Sequence, residues 1–438
     1  MAPHPRAGLW VGWVLALAVL ATSTASGEEL RSLRTRALRA DVEAVRGKAR
    51  VGEVLALRLF EDAGFEAVAD RVSESEENGL VWSGRLRDVE NGWTVLVVSD
   101  DEVMAGVVST PDRVYRIRYT GGGMHTIDEL DPAALDLPAN DAVIPEGPFA
   151  VRARPRPLPS PATEDDPAIL DVLWVYTKEA STRLVGEGYT GQRTAKKAIK
   201  AGVQLAVAVA NQCLVNSNVP AEYRIVGLKK ITYTPLGDTG ADLMRFRLPA
   251  DGHADKVLKL REKFGADLVA AVLEEVTPGA AGLGYQLPPT SPFSADYAFS
   301  VIHYTYLWFS TFAHEAGHNI GLAHDLENDA AGPQWRAFPY SLGYRDPAAG
   351  FASVMSYLTG CATCRYKIPH YSSPDVRWQG APSGSTSNRF QPGCGNGTTT
   401  GPKCGPKTGT PDADNAQSLA DTVALFAQHR ACKVKCAP

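Results

Sequence analysis

The sequence predicts two units of different class: a small, mostly antiparallel β unit, followed by an α/β (α+β) unit built on a twisted mixed sheet. Three observations carry this. Residues 152–167 read RARPRPLPSPATEDDP, too rich in proline and charge for a regular core element, so they mark a linker. Ahead of it lie short strand-like runs separated by turn residues. Behind it, strands alternate with helices, the pattern of a layered sheet.

Taken in order, His4 and Arg6 precede an apolar run, Leu9 to Ala21, which small and polar residues follow up to Gly27. That is the order of a secretory signal over residues 1–27. A membrane anchor is the competing reading, but the run is shorter than the ~20 residues that span a bilayer. With no second run of that length, the mature chain is expected to be soluble and without a stable membrane anchor.

The first unit, 28–151, opens with Leu30, Leu33, Ala37, Leu38, Val42 and Val45 at three-to-four spacing, which predicts an amphipathic helix. Strands are expected at 53–60, 80–87, 94–99, 103–109 and 114–119, with Asn91-Gly92 turning between two of them. The second unit, 168–431, opens with a strand at 169–176, a long helix at 191–217 and a strand near 223–233. A helix at 255–264, a buried strand at 267–273 and a strand at 298–304 follow, the last leading into a helix that begins near Leu307. Residues 383–411 predict a long surface loop, 414–429 a closing helix and 432–438 a tail.

The chain has 438 residues, 44% hydrophobic and 21% charged, with a formal charge of -5. This is an ordinary globular composition, without the basic excess that nucleic-acid binding asks for. Export makes cysteines tend to pair. Six stand late, at Cys361, Cys364, Cys394, Cys404, Cys432 and Cys436, and short local loops (361 with 364, 394 with 404, 432 with 436) are one of their possible pairings. The CxxC spacing of Cys361 and Cys364 also suits a structural zinc site, although no second pair completes it. Cys213 reads as a buried free thiol on an apolar helix. Asn396-Gly-Thr398 fits a glycosylation acceptor.

Residues 314–325 read HEAGHNIGLAHD. On a helix, His314 and His318 lie one turn apart on one face, so both imidazoles reach one metal ion. Gly321 admits the left-handed backbone that ends the helix and brings His324 round as a third nitrogen, leaving one position for water. Glu315, beside the first ligand, is placed to take that water's proton. Three His, one Glu and one Gly at fixed positions arise by chance on the order of once in ten million starts at average residue usage, so a single Zn2+ is expected. A structural zinc protein would need a fourth protein ligand.

His314-Glu315-x-x-His318-x-x-Gly321-x-x-His324 resembles the metzincin signature, and Ser353-Val354-Met355-Ser356-Tyr357 resembles the methionine turn of that superfamily. The resemblance implies a metzincin-like catalytic domain, with an active-site helix and a C-terminal subdomain, that hydrolyses protein or peptide substrates. Met355 would floor the three imidazoles. Asp325 is similar to its counterpart in the reprolysin branch, where it gives structural support. Tyr357 is similar to the tyrosine of the astacin and serralysin branches, a resting zinc ligand or oxyanion donor; packing beside the turn is the plainer alternative. Asp171 to Thr177, Tyr366 to Gly384 and Ala413 to Ala416 further resemble bacterial peptidyl-Asp metalloendopeptidases.

In metzincins a peptide lies antiparallel to an edge strand, and residues 278–287 occupy the matching place. Gly282, Gly284 and Tyr285 would contact substrate there, or the segment is a glycine-rich turn. Cleavage beside acidic residues would need a cation, for which Arg365 and Lys367 are candidates. An upstream folded unit and a flexible joint suggest a zymogen. The first unit has no cysteine to latch zinc, which leaves His125, Asp128 or Asp131 as candidate ligands, or as ordinary turn residues. The alternative to a secreted endopeptidase is a non-catalytic binding or adhesion protein on the same scaffold. Calcium sites, oligomeric state and substrate identity carry no sequence signal.

Overall fold

Alternation of apolar and polar residues drives the first unit into eight antiparallel strands: β1 (Ser32–Arg39), β2 (Val54–Phe60), β3 (Ala63–Ser75), β4 (Gly79–Leu86), β5 (Trp93–Asp100), β6 (Val103–Ser109), β7 (Val114–Gly121) and β8 (Met124–Leu130). The computed structural model describes residues 32–75, 79–100, 102–131, 135, 141–145, 160, 162–186, 191–274, 280–378, 381–385, 413–431 and 433. The expected signal, most of the proline-rich linker, most of the 383–411 loop with Asn396, and Cys394, Cys404, Cys432 and Cys436 lie outside these.

The strands follow the order β1-β8-β7-β6-β5-β4-β3-β2. The sheet curls until its two edge strands meet through side chains. Arg36 of β1 donates to the Leu59 carbonyl at 3.2 Å, while Arg34 stacks 4.1 Å above the Phe60 ring and pairs with Asp62 at 2.7 Å. Leu57, Leu59, Trp82, Leu96, Val98, Val108 and Ile117 fill the interior.

The helix expected over residues 30–45 is therefore mostly a strand. Only the short helix α1 (Val42–Gly47) forms, capped by Asp41. The three-to-four spacing was coincidental: pairing with β8 imposes a period of two, which leaves Leu33 52% exposed.

In the second unit β10 (Ala168–Thr177), β11 (Ala221–Ile231), β12 (Leu268–Leu273) and β14 (Phe299–His303) run parallel. Every residue of β12 is buried, as a central parallel strand requires. Strand β13 (Gly282–Tyr285) adds antiparallel to β14. The helices are α2 (Lys178–Gly186), α3 (Gln192–Asn216), α4 (Thr239–Arg247), α5 (Asp255–Phe264), α6 (Thr311–Asn319) and α7 (Asn415–Phe426). Helix α6 begins four residues later than expected from Leu307: residues 304–306 form a separate 3-10 turn, and residues 307–310 continue as turns before the helix starts. Helix α3 is apolar and long enough to cross a membrane. It serves instead as a core helix, with Cys213 as its buried free thiol.

The two units share one core. Val95, Val97, Ala105 and Val107 point outward from the first sheet into the cluster that holds the buried face of α3, which packs on β5, β6 and β7. Polar links rim this apolar seam: Lys197 with Glu102 at 3.5 Å, Arg71 with Glu222 at 3.3 Å, and Arg116 donating to the Thr305 carbonyl at 3.4 Å. The first unit also supplies β9 (Ala142–Val143) to the second sheet, whose order is β11-β10-β12-β14-β13-β9. Strand β9 lies parallel to β13, with Ala142 opposite Gly284 and Val143 opposite Tyr285.

Candidate metal centre and active site

Helix α6 is buried along its whole length. Phe312 packs between Trp174 and Tyr223, with ring centroids 4.8 and 5.1 Å away, which seats the helix on β10 and β11. Asn319 ties its other end to the sheet by donating to the Tyr285 and Phe299 carbonyls at 2.8 and 3.1 Å. No sequence signal marked Asn319 as a positioning residue; its role depends on strands 20 and 34 residues away.

The helix stops where Gly321 adopts φ 82°. A β-carbon there would stand 2.9 Å from the Pro288 Cα and 3.0 Å from the Ala337 nitrogen. Gly321→Ala is accordingly expected to destabilise the chain by about 1–3 kcal/mol, read as a lowered denaturation midpoint; an unchanged midpoint contradicts this. Past the turn, Ala323–Asp325 forms the short strand β15 and returns His324 to the helix.

The three imidazoles converge. The Nε2 atoms of His314, His318 and His324 lie 3.0–3.2 Å apart, close to the ~3.3 Å spacing that tetrahedral zinc–nitrogen bonds of ~2.0 Å impose. Each Nδ1 faces a main-chain carbonyl: Val354 at 2.8 Å, Leu322 at 2.9 Å and Asn328 at 3.4 Å. With Nδ1 as donor, all three Nε2 lone pairs point inward. Burial holds the pKa of His314 and His318 below the usual range, favouring the neutral form that ligates metal. A fourth acceptor, Asp141 Oδ1, lies 3.3, 3.4 and 2.8 Å from these nitrogens in the same order. Buried lone pairs facing one another call for a cation, so the donor set fits zinc.

Asp141 is the ligand-type residue that the sequence did not reveal. Of the residues considered for that place, His125 accepts from the Met104 amide at 3.0 Å inside the first unit, Asp128 pairs with Arg116 and Arg118 at 2.9 Å, and Asp131 follows directly on β8. None joins the cluster.

Met355, fully buried, lies beneath α6: a β-carbon on Gly317 would stand 2.6 Å from its sulfur. Tyr357 is brought to the centre, its hydroxyl donating to Asp141 Oδ1 at 2.6 Å and lying 3.0 Å from His324 Nε2. Asp325 supports the turn by accepting the Tyr357 amide at 3.3 Å and pairing with Arg345 at 3.2 Å.

Glu315 is 1% exposed, and neither carboxylate oxygen has a hydrogen-bond partner. Burial first, then the Asp141 charge, pushes its pKa well above the usual range. The two strand glycines face it. A β-carbon at Gly282 would lie 2.7 Å from Oε1, and one at Gly284 would lie 2.8 Å from the Glu315 carbonyl. These glycines thus admit the helix and its acid to the strand. Tyr285 points the other way, its ring 5.0 Å from that of Tyr297 in the core. Its carbonyl accepts from Asn319, and the amides that face the sheet edge are those of Gly284 and Gln286 on either side of it.

The sequence is similar to known zinc peptidases. Residues 200–325 match the family model described as Metallo-peptidase family M12B Reprolysin-like. A peptidyl-Asp metalloendopeptidase of Stenotrophomonas maltophilia (strain R551-3) is 27% identical over 341 residues, 74% of this chain and 76% of that protein. The chain is a metzincin-like zinc metalloendopeptidase. A similarly named protein of Xanthomonas campestris pv. campestris is also 27% identical, over 67% of this chain and 65% of that one. Residues 20–130 of the metalloendopeptidase match the model of a BamI lipocalin-like domain. The crystal structure of metalloproteinase-II from Bacteroides fragilis covers 76% of this chain and 92% of that one, at 13% identity and a TM-score of 0.41.

Proposed function

We propose that the chain is the secreted zymogen of a zinc endopeptidase, in which the first unit, residues 28–151, closes the site through Asp141 and β9. The convergence of His314, His318, His324 and Asp141 on one point carries this reading. The three histidines hold one catalytic ion per chain. Bound there, zinc lowers the pKa of water to about 7 and polarises a carbonyl.

The chain's own residues supply the rest. Glu315 takes the proton of the attacking water and passes it to the leaving amine. Tyr357, freed from Asp141, donates its hydroxyl to the oxygen on which charge develops. Strand β13 offers its edge to an extended peptide. In the latent chain that edge is occupied: the Gly284 amide donates to the Asp141 carbonyl at 3.0 Å and the Gln286 amide to that of Val143 at 2.8 Å. Because β9 runs parallel to β13 and a substrate is expected to run antiparallel, the segment covers the edge in the reverse of the productive direction. Cutting the linker and withdrawing the first unit opens the site.

The names of the relatives support a preference for acidic residues at the cleavage point. The test is digestion of a diverse peptide library by the linker-cut protein, with and without a chelator, read by mass spectrometry. Chelator-sensitive cleavage clustered at acidic residues is expected. No cleavage, or cleavage untouched by the chelator, contradicts the reading.

A further inference from the structure

The cleft beside the metal centre lies between the first turns of α6, Ala281 just ahead of β13, and the methionine turn with the segment that follows it. Its described lining includes Ala281, His314, Glu315, Tyr357 and Lys367, together with Asp141. Among these described lining residues Lys367 is the one side chain of positive charge. We propose that Lys367 receives the acidic side chain of the substrate next to the scissile bond, an assignment that rests on the acidic preference proposed above.

Three observations converge on Lys367. Its Nζ stands 5.3 Å from the centre of the Tyr357 ring, so the ammonium is held over the phenol that touches His324 and Asp141. Its charge is felt by both His314 and Glu315, which places it within electrostatic reach of the reacting atoms. The backbone that carries it is fixed on both sides: Arg365 N–H donates to the Gly350 carbonyl and Ile368 N–H to the Ala352 carbonyl, each at 2.8 Å. The disulfide between Cys361 and Cys364 and the buried Ile368 flank this stretch.

The cleft already accommodates an aspartate carboxylate, that of Asp141. Once the first unit withdraws, Glu315 is the remaining carboxylate among the described lining residues. A partly desolvated ammonium discriminates a carboxylate from its neutral amide more sharply than a surface lysine does. Arg365, the other basic candidate, is exposed and does not line the cleft.

The test uses the linker-cut, zinc-loaded enzyme and matched peptides that differ only in Asp, Asn or Lys at the preferred position. Wild type is expected to prefer Asp over Asn. Lys367→Met should reduce that kcat/KM ratio by about 10- to 100-fold; Lys367→Arg should retain most of it, and Lys367→Glu should shift the preference toward Lys. Arg365→Met serves as the charge-matched control and should leave the ratio unchanged. Zinc content and melting temperature show whether each variant is folded, and the ratio in Lys367→Arg and Lys367→Glu decides the matter if Lys367→Met is not. A wild-type preference that survives both Lys367→Met and Lys367→Glu overturns the assignment alone. A wild-type enzyme indifferent to Asp removes the acidic-preference reading, and the assignment with it.

Discussion

Replacing Glu315 by Ala is expected to lower kcat of the linker-cut enzyme by about 10²- to 10⁴-fold while leaving zinc bound. The two effects separate because Glu315 stands beside the ligand cluster without joining it. The imidazoles take their orientation from the carbonyls of Val354, Leu322 and Asn328, and the Glu315 carboxylate has no hydrogen bond to any of the three histidines. The acid is buried against two strand glycines and lacks any hydrogen-bond partner. A buried polar group without a partner is costly and is retained where chemistry needs it. Removing it should not weaken the fold, so kcat falls without a fall in melting temperature. Turnover within twofold of wild type would remove Glu315 from the mechanism.

The second large effect concerns latency. Asp141→Ala in the uncut chain is expected to raise peptidase activity by about 10- to 100-fold, the equivalent of losing one or two charge-assisted contacts. Asp141 Oδ1 accepts from the Tyr357 hydroxyl and faces all three imidazoles, so its loss frees both the metal position and the phenol. Activity should stay below that of the linker-cut enzyme, because β9 still pairs with β13. Initial rates of cut and uncut protein at equal zinc occupancy check this. Equal latency in Asp141→Ala and wild type would assign the block to the strand alone.

The convergence of the three imidazoles was legible in the sequence because it is local: His314, His318, Gly321 and His324 fall within eleven residues, and helix geometry plus one left-handed glycine dictates where they point. The strands of the parallel sheet were legible for a related reason, since an all-apolar run such as Leu268–Leu273 buries both faces. Residues 32–39 were misread because apolar residues at helical spacing also fit an edge strand. There Arg34 and Arg36 turn toward β2 while Leu33 faces solvent, an arrangement set by β2 and β8 rather than by local propensity.

Asp141 was not legible at all. It stands 173 residues before His314 and 216 before Tyr357, and no spacing rule links an aspartate in one unit to histidines in the next. The glycines of β13 lie between these extremes: their alternation signals close approach, but only the fold identifies Glu315 as what approaches them.

One zinc ion on His314, His318 and His324 is expected to be necessary and sufficient for turnover once the first unit is withdrawn. Titrating metal-stripped, linker-cut protein with zinc, with bound metal and peptide hydrolysis measured on the same samples, tests it most directly. Activity should rise in proportion to bound zinc and level off at one ion per chain, with Glu315→Ala binding the same single ion and remaining inactive. Hydrolysis by the fully stripped protein, or activity that rises only after a second ion binds, would contradict it.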